Sequence, residues 1–500
     1  MLLRQLIHGI PRAIVHGSLD LPIASLEYDS RRVMPGTVFF ALPGTPRDGH
    51  DYIAAALKRG ATAVVYQRLG FLPPRATVIR VPDIRRAWAQ ASAAFYGHPS
   101  EQLTVIGVTG GTSRTSAAFL TRQLLQRAGI PTGLIGSIRH EIGERILPVL
   151  RAMPEVLDTQ QLMAAMVRAS CDACVIEVRS DVASRGDGAE VDFDVGVFTG
   201  GARDEEEGPR AGHRHAESRF PVFLSKQANA RLEAAVFDAD DHASLALGRG
   251  AKARRSVTYG SDLTAQVRVL HQEPQNRGTR LRMLLLDREL ESWVPLLGAD
   301  ELRGLWAAVA VGVALGVAPA AVRWWLGNVM PVPGRLEGLE CGQPFGVFID
   351  RAHTERALEQ ALRTLRRAAT GRLLVACGGS AGQNAEQRAR LGQTVARLAD
   401  YTVVTTDNPG HEAPETIAAS IVRGHCVIRT NDFQVELDRR QAIDHLIQCA
   451  QPGDTVLIAG KGHETYQESA DTIAPFDDRV YARESLERLG FNRVNRAPGA

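Results

Sequence analysis

The sequence predicts an α/β protein organised around a phosphate-binding loop, and three observations carry that prediction. Largely apolar, β-type runs alternate with helical segments along most of the chain, a texture that suits parallel sheets covered on both faces. One such run, residues 105–108, empties into the turn Thr109-Gly110-Gly111-Thr112-Ser113, and a helical segment follows at 117–128. Strand, Gly-rich turn and helix in that order form a phosphate cradle, in which backbone N–H groups and the helix N-terminus face polyphosphate oxygens. At 500 residues the chain is also too long for one core, so roughly two to four domains are expected.

Residues 1–100 read as a small α/β domain. Strands are expected at 37–42 and 61–66, and helices at 52–60 and 85–96, the first ending on Gly60 as a C-terminal cap. Gly97-His98-Pro99-Ser100 is a turn-rich joint. Residues 101–330 form a second domain, with a helix at 157–169 and strands at 173–178 and 194–199. Residues 203–219, dense in charge, Gly and His, read as an exposed loop. Antiparallel strands are expected at 265–270, 280–286 and 290–297, an apolar helix at 302–315, and a linker at 327–334. Residues 331–500 are the third domain: strands at 345–350, 372–377, 401–405 and 454–459, a helix at 354–369, and a disordered tail at 494–500.

A net charge of +2 gives no reason to expect nucleic acid or an anionic membrane as partner. No apolar run reaches the ~20 residues of a membrane span. The N-terminus lacks a basic region, apolar core and cleavage site, so a cytoplasmic protein is expected. Six scattered cysteines are not a disulfide framework, and the lone Cys171-x-x-Cys174 reads as packing rather than redox or metal chemistry. His213 and His215 with 205–207 read as a solvated loop rather than a metal cluster.

Several motifs in order then resemble one family. Asp29-Ser30-Arg31 with Pro35-Gly36, Gly44 to His50, Phe95 to Ser100, Pro333-Gly334-Arg335, Asp350-Arg351-Ala352-His353, Asp407-Asn408-Pro409, Gly460-Lys461-Gly462-His463-Glu464 and Phe476 to Arg479 resemble the Mur (muramyl) ligases over nearly the whole chain. The nearest branch is the one that adds the third amino acid to UDP-N-acetylmuramoyl-dipeptide. The resemblance implies three domains: one for the sugar nucleotide, a central P-loop-like parallel-sheet domain for ATP, and a Rossmann-like C-terminal domain for the amino acid. It implies ATP and Mg²⁺ as cofactors, with an acyl phosphate attacked by an amine. It assigns Ser30, Asn408, Lys461, Gly462 and Glu464 to substrate, and Gly110, Gly111, Thr112, Ser113, Thr115, Asp238, Arg335 and Asp350 to ATP. It places Thr115, Glu177 and Glu205 around magnesium, and Arg114, Lys226 (the family's carbamylated lysine) and His353 in catalysis.

The departures from the family pattern cluster on ATP and metal. Gly-Thr-Asn-Gly-Lys-Thr is here Gly110-Gly111-Thr112-Ser113-Arg114-Thr115, so a planar guanidinium replaces a compact ammonium. Ser113 adds a Cβ that would cost about 1–2 kcal/mol if the position were left-handed. Arg179 follows Glu177 closely, and Glu205 stands where the family has a His. The family's Asn-Pro-Arg is Asn408-Pro409-Gly410, without the guanidinium that would pair with a substrate carboxylate. Two readings follow. In one, the arginines occupy the space of ATP and its metal, and the protein binds a UDP-N-acetylmuramoyl-peptide or related sugar nucleotide, with a protein partner in cell-wall synthesis. In the other, it is a divergent ATP-dependent ligase.

Overall fold

The computed structural model describes residues 1–44, 48–68, 76–149, 154–178, 190–200, 232–275 and 277–491. The expectations for the 203–219 loop and the 494–500 tail, and those for Lys226, Glu205 and Arg179, lie outside the described residues. The chain divides into two compact units: Met1–Tyr259 with Ala307–Ala318, and Gly260–Trp306 with Pro319–Ala500.

The first unit holds two groups of strands. A five-stranded sheet runs in the order Ile14–His16, Thr77–Arg80, Ala63–Tyr66, Thr37–Phe40, Ser25–Glu27, parallel except at the Ile14–His16 edge. Every residue of Thr37–Phe40 and Ala63–Tyr66 is buried, which is why neither alternates apolar with polar. Helix Ile84–Phe95 starts on the Asp83 cap and lays Trp88 against Phe40, ring centres 4.9 Å apart.

The phosphate-loop strand, Thr104–Thr109, lies inside the other group. Its neighbours run Ala253–Gly260, Leu232–Asp238, Val195–Phe198, Thr104–Thr109, Ala173–Glu177, Thr132–Ile135, all parallel. A hairpin, Arg139–Ile142 with Arg145–Pro148, closes one edge. The register sets Glu177 beside Val108 and Phe198 beside Thr109, so the loops after three strands converge at one end of the sheet. In open parallel sheets that carboxyl end is where ligands bind. Cys171 and Cys174 are both buried and free, and burial holds the Cys174 thiol far above its ordinary pKa. Packing accounts for both.

The second unit contains an antiparallel meander, Val267–Gln275, Gly278–Leu285 and Arg288–Val294. Its six-stranded sheet runs Glu337–Gly338, Gly346–Asp350, Thr455–Ala459, Leu373–Cys377, Tyr401–Val404, Phe433–Val435, parallel except for the first pair. Helices Pro414–Cys426 and Arg439–Gln448 fall where the sequence reading assigns no element. Helix Ala385–Leu398 packs so closely on Pro414–Cys426 that a Cβ on Gly392 would lie 1.9 Å from the Ile421 carbonyl oxygen. A Cβ on Gly424 would lie 1.8 Å from that of Ala389. Arg439, fully buried, pairs with Asp478 at 2.7 Å and also donates to the carbonyls of Thr406 and Ala459. It thereby pins the ends of two adjoining segments that lead into Asp407 and Gly460.

Candidate functional site

The loop after Thr104–Thr109 closes tightly on the neighbouring strand end. Gly110 has φ +136°, and a Cβ there would fall 2.3 Å from Thr199 Oγ1, so only glycine fits. Gly111 N donates to the Gly200 carbonyl at 3.0 Å. Thr112 is half-buried beside it. Ser113, the residue before helix Arg114–Arg127, has φ −73° and ψ −10°. That is ordinary right-handed backbone, so the strain expected at Ser113 is absent. Its buried Oγ donates to the Thr199 carbonyl at 3.2 Å.

Arg114 does not extend into solvent. Its guanidinium bonds Glu177 Oε1 through Nε at 3.1 Å and the Gly110 carbonyl through Nη1 at 2.9 Å. Thr115 Oγ1 donates to the same Glu177 oxygen at 2.8 Å. Ser137 donates to the other oxygen twice, from N at 3.0 Å and from Oγ at 2.8 Å. Glu177 is 1% exposed. Burial alone would raise its pKa, but Arg114, Ser137 and Thr115 together hold it below the ordinary carboxylate value.

This arrangement tests the implied metal. Magnesium needs hard oxygen ligands at about 2.0–2.1 Å in a nearly octahedral shell. A carboxylate offers about four lone-pair directions, and Glu177 receives four donors. One of them already carries the positive charge a metal would bring. The residues described at this site do not fit magnesium as they stand. Asp238, 1% exposed, ends a strand in the same sheet and accepts from Asp240 N at 3.0 Å. Ser30 lies in the short turn Ser30–Arg32, where Asp29 takes Arg31 at 2.7 Å and that hydrogen bond draws its pKa down to about 2.

In the second unit the residues form two groups. Asp350 accepts from Leu336 N at 2.7 Å and Ala352 N at 2.8 Å. Burial pushes its pKa up while the nearby Arg335 opposes the rise. Buried Glu301 belongs to this group, and desolvation, aided by Asp300 and Asp350, pushes its carboxyl to about 8. His353 Nδ1 lies 2.9 Å from the Arg351 carbonyl oxygen. In the other group Lys461, fully buried, donates to Asn408 Oδ1 at 2.7 Å and to the Tyr466 carbonyl at 3.0 Å. Asn408 Nδ2 in turn donates to Glu464 Oε2 at 2.8 Å. Burial lowers the Lys461 pKa and raises that of Glu464. Gly462 has φ +58°, and a Cβ there would meet Arg351 Cβ at 2.6 Å. Gly410 sits beside Ala381: a Cβ on Gly410 would lie 3.1 Å from that of Ala381, so neither position carries a polar side chain.

Sequence reasoning missed Ser137 and Glu301. Ser137 follows Gly136 directly after a strand, a pattern that marks a turn at the carboxyl end of a sheet. Glu301 stands in the first turn of helix Ala299–Ala314, where an acid reads as an ordinary end charge, and nothing local signals its burial.

Comparison with known proteins now decides the family. Residues 22–96 match the description "Mur ligase family, catalytic domain", 108–312 "Mur ligase middle domain", and 334–462 "Mur ligase, glutamate ligase domain". The chain belongs to the Mur ligase family. One Mur ligase, a UDP-N-acetylmuramoyl-L-alanyl-D-glutamate–2,6-diaminopimelate ligase of Solibacter usitatus, is 34% identical over 487 residues, 97% of this chain and 98% of that protein. Its namesake in Geobacter metallireducens is 35% identical over 508 residues, covering 98% and 99%. A solved structure with the same ligase name superposes with TM-score 0.72 at 24% identity, covering 98% and 99%. That of the Thermotoga maritima MurF ligase in complex with ADP gives 0.58 at 20%, covering 94% and 97%, and supports the Mur ligase fold alone.

Proposed function

We propose that this Mur ligase family member serves peptidoglycan precursor metabolism by binding a UDP-N-acetylmuramoyl-peptide, and that it has lost efficient magnesium-dependent use of ATP. The observation that carries the proposal is the buried Arg114–Glu177 pair, which puts a fixed guanidinium on the carboxylate that would take the metal. The ligand class comes from the relatives, whose names specify ligation of 2,6-diaminopimelate to UDP-N-acetylmuramoyl-L-alanyl-D-glutamate. Gly410 beside Ala381 supports a further departure: no guanidinium stands at either position to hold the second carboxylate of diaminopimelate.

A specific observation favours a second reading, a divergent ATP-dependent UDP-N-acetylmuramoyl-peptide ligase. The Lys461–Asn408–Glu464 chain and the Arg335–Asp350 group are held in place rather than eroded. Titration calorimetry with ATP, with and without Mg²⁺, together with phosphate release in the presence of UDP-N-acetylmuramoyl-dipeptide and a panel of amino acids, separates the two. The first reading expects no magnesium-dependent ATP binding in the natural protein and turnover only in a Ser113→Gly/Arg114→Lys variant. Micromolar, magnesium-dependent binding with turnover that Arg114→Ala abolishes establishes the second.

A further inference from the structure

The half-buried Cys449 lies at the opposite end of the second unit's six-stranded sheet from Asp407 and Lys461, and other reactive side chains converge on it. It caps the C-terminal end of helix Arg439–Gln448, one turn after His445, and its Sγ lies 3.6 Å from His445 Nε2. Residues four apart on a helix share a face, so the helix itself sets this pair. The sheet supplies the third member. Tyr401, the first residue of strand Tyr401–Val404, brings its hydroxyl to 3.1 Å from the same Nε2. That hydroxyl donates its proton to Gln434 Oε1 at 3.2 Å, on the neighbouring strand Phe433–Val435.

A nucleophile, a base and a group that orients the base thus stand in a row. With its proton turned to Gln434, the phenol oxygen faces Nε2 with a lone pair, and it stabilises a proton that has moved there from Sγ. Burial, reinforced by the Cys449 sulfur, raises the Tyr401 pKa, which keeps the phenol a donor to Gln434. The other surroundings do less for a thiolate. A helix C-terminus carries partial negative charge. Arg372 reaches Cys449 at its carbonyl, at 2.9 Å, and spends its charge on Asp454 at 2.7 Å. The reactivity of the sulfur therefore turns on the histidine.

We propose that Cys449 is a modification site, a thiol that His445 activates for exchange with small disulfides. The thiol proton passes to Nε2, and Sγ attacks one sulfur of the disulfide. That S–S bond breaks as the bond to Cys449 forms, and the departing thiolate takes the proton from His445 and leaves as a thiol. The disulfide is the only oxidant the step requires. The chain carries its own reference: Cys426 is exposed and makes no side-chain hydrogen bond among the described residues, while Cys171, Cys174, Cys341 and Cys377 are buried. Exposure alone would make Cys426 the faster thiol. No step involves ATP or a sugar nucleotide, so the proposal stands or falls apart from the function proposed above.

The test is incubation of the reduced full chain with oxidised glutathione, the adducts at Cys449 and Cys426 being followed over time by peptide mass spectrometry. It is run on the natural protein and on His445→Gln, which keeps a polar side chain of similar reach but not the base. Tyr401→Phe, which leaves the base and removes the oxygen that orients it, is the second variant. Melting temperature checks that each variant folds. Cys449 is expected to react roughly tenfold faster than Cys426 or more, His445→Gln to lose that advantage and Tyr401→Phe to lose part of it, with the Cys426 rate unchanged in both. A Cys449 rate no greater than that of Cys426, an unchanged Cys449 rate in either variant, or an equal loss at both cysteines overturns the proposal.

Discussion

Replacing Arg114 by alanine should both weaken the protein and open a cation site. Glu177 is 1% exposed, and Arg114 is 12% exposed at its side chain, so the pair is largely shielded from water. Removing one partner of a buried pair costs about 3–5 kcal/mol because the other charge is stranded. Here Glu177 keeps three donors, from Thr115 Oγ1 and from Ser137 N and Oγ, so a cost at or just below the bottom of that range is expected, roughly 2–3 kcal/mol. At about 2–4 °C per kcal/mol for a unit of this size, the melting temperature should fall roughly 4–12 °C. The variant also frees a lone pair on Glu177 beside Thr115. Magnesium at about 100 times its dissociation constant would return about 2.7 kcal/mol. Differential scanning fluorimetry with and without MgCl₂ reads both effects. The natural protein should not respond to magnesium, and Arg114→Ala should. An unchanged melting temperature in the variant, or equal stabilisation of both proteins by magnesium, refutes the reasoning.

Further predictions concern pH and packing. The net pKa of Glu177 is depressed in the folded state, so its contribution is present above the unfolded value of 4.5 and is lost as pH falls through the folded pKa; Arg114→Ala should flatten the acid limb of a melting-temperature profile. Glu301 runs the other way. Its folded pKa of about 8 lies above the unfolded 4.5, so stability declines between those values as pH rises, and Glu301→Gln should remove that decline and raise the melting temperature at pH 8 by a few degrees. Gly392→Ala gains helix propensity but drives a methyl into the Ile421 carbonyl, so urea unfolding should show a net loss of about 1–3 kcal/mol. Arg439→Ala strands Asp478 in a fully buried position and should cost about 3–5 kcal/mol by the same measurement.

The three-part α/β organisation was legible because it is written in long apolar strands and in glycines whose positions permit no side chain. Gly110 and Gly462 mark turns that any reader of the pattern would flag, and both prove sterically fixed. Helices Pro414–Cys426 and Arg439–Gln448 were not legible, being short segments whose burial is set by the neighbouring helix and sheet rather than by their own spacing. At the candidate site, the sequence showed that Arg114 stands where the resemblance expects a lysine and that Glu177 keeps the expected carboxylate. It did not show that Ser137 completes the carboxylate's shell, because that contact joins residues 40 apart. The strain anticipated at Ser113 failed because the loop places its left-handed turn at Gly110 instead.

The Arg439–Asp478 clamp has an evolutionary reach that its energetics do not suggest. It sets where Asp407 and Lys461 can stand by gripping the chain just before each of them. Because both grips are on main-chain carbonyls, they hold whatever side chains the two segments carry, so the spacing of Asp407 and Lys461 is set independently of the residues around them.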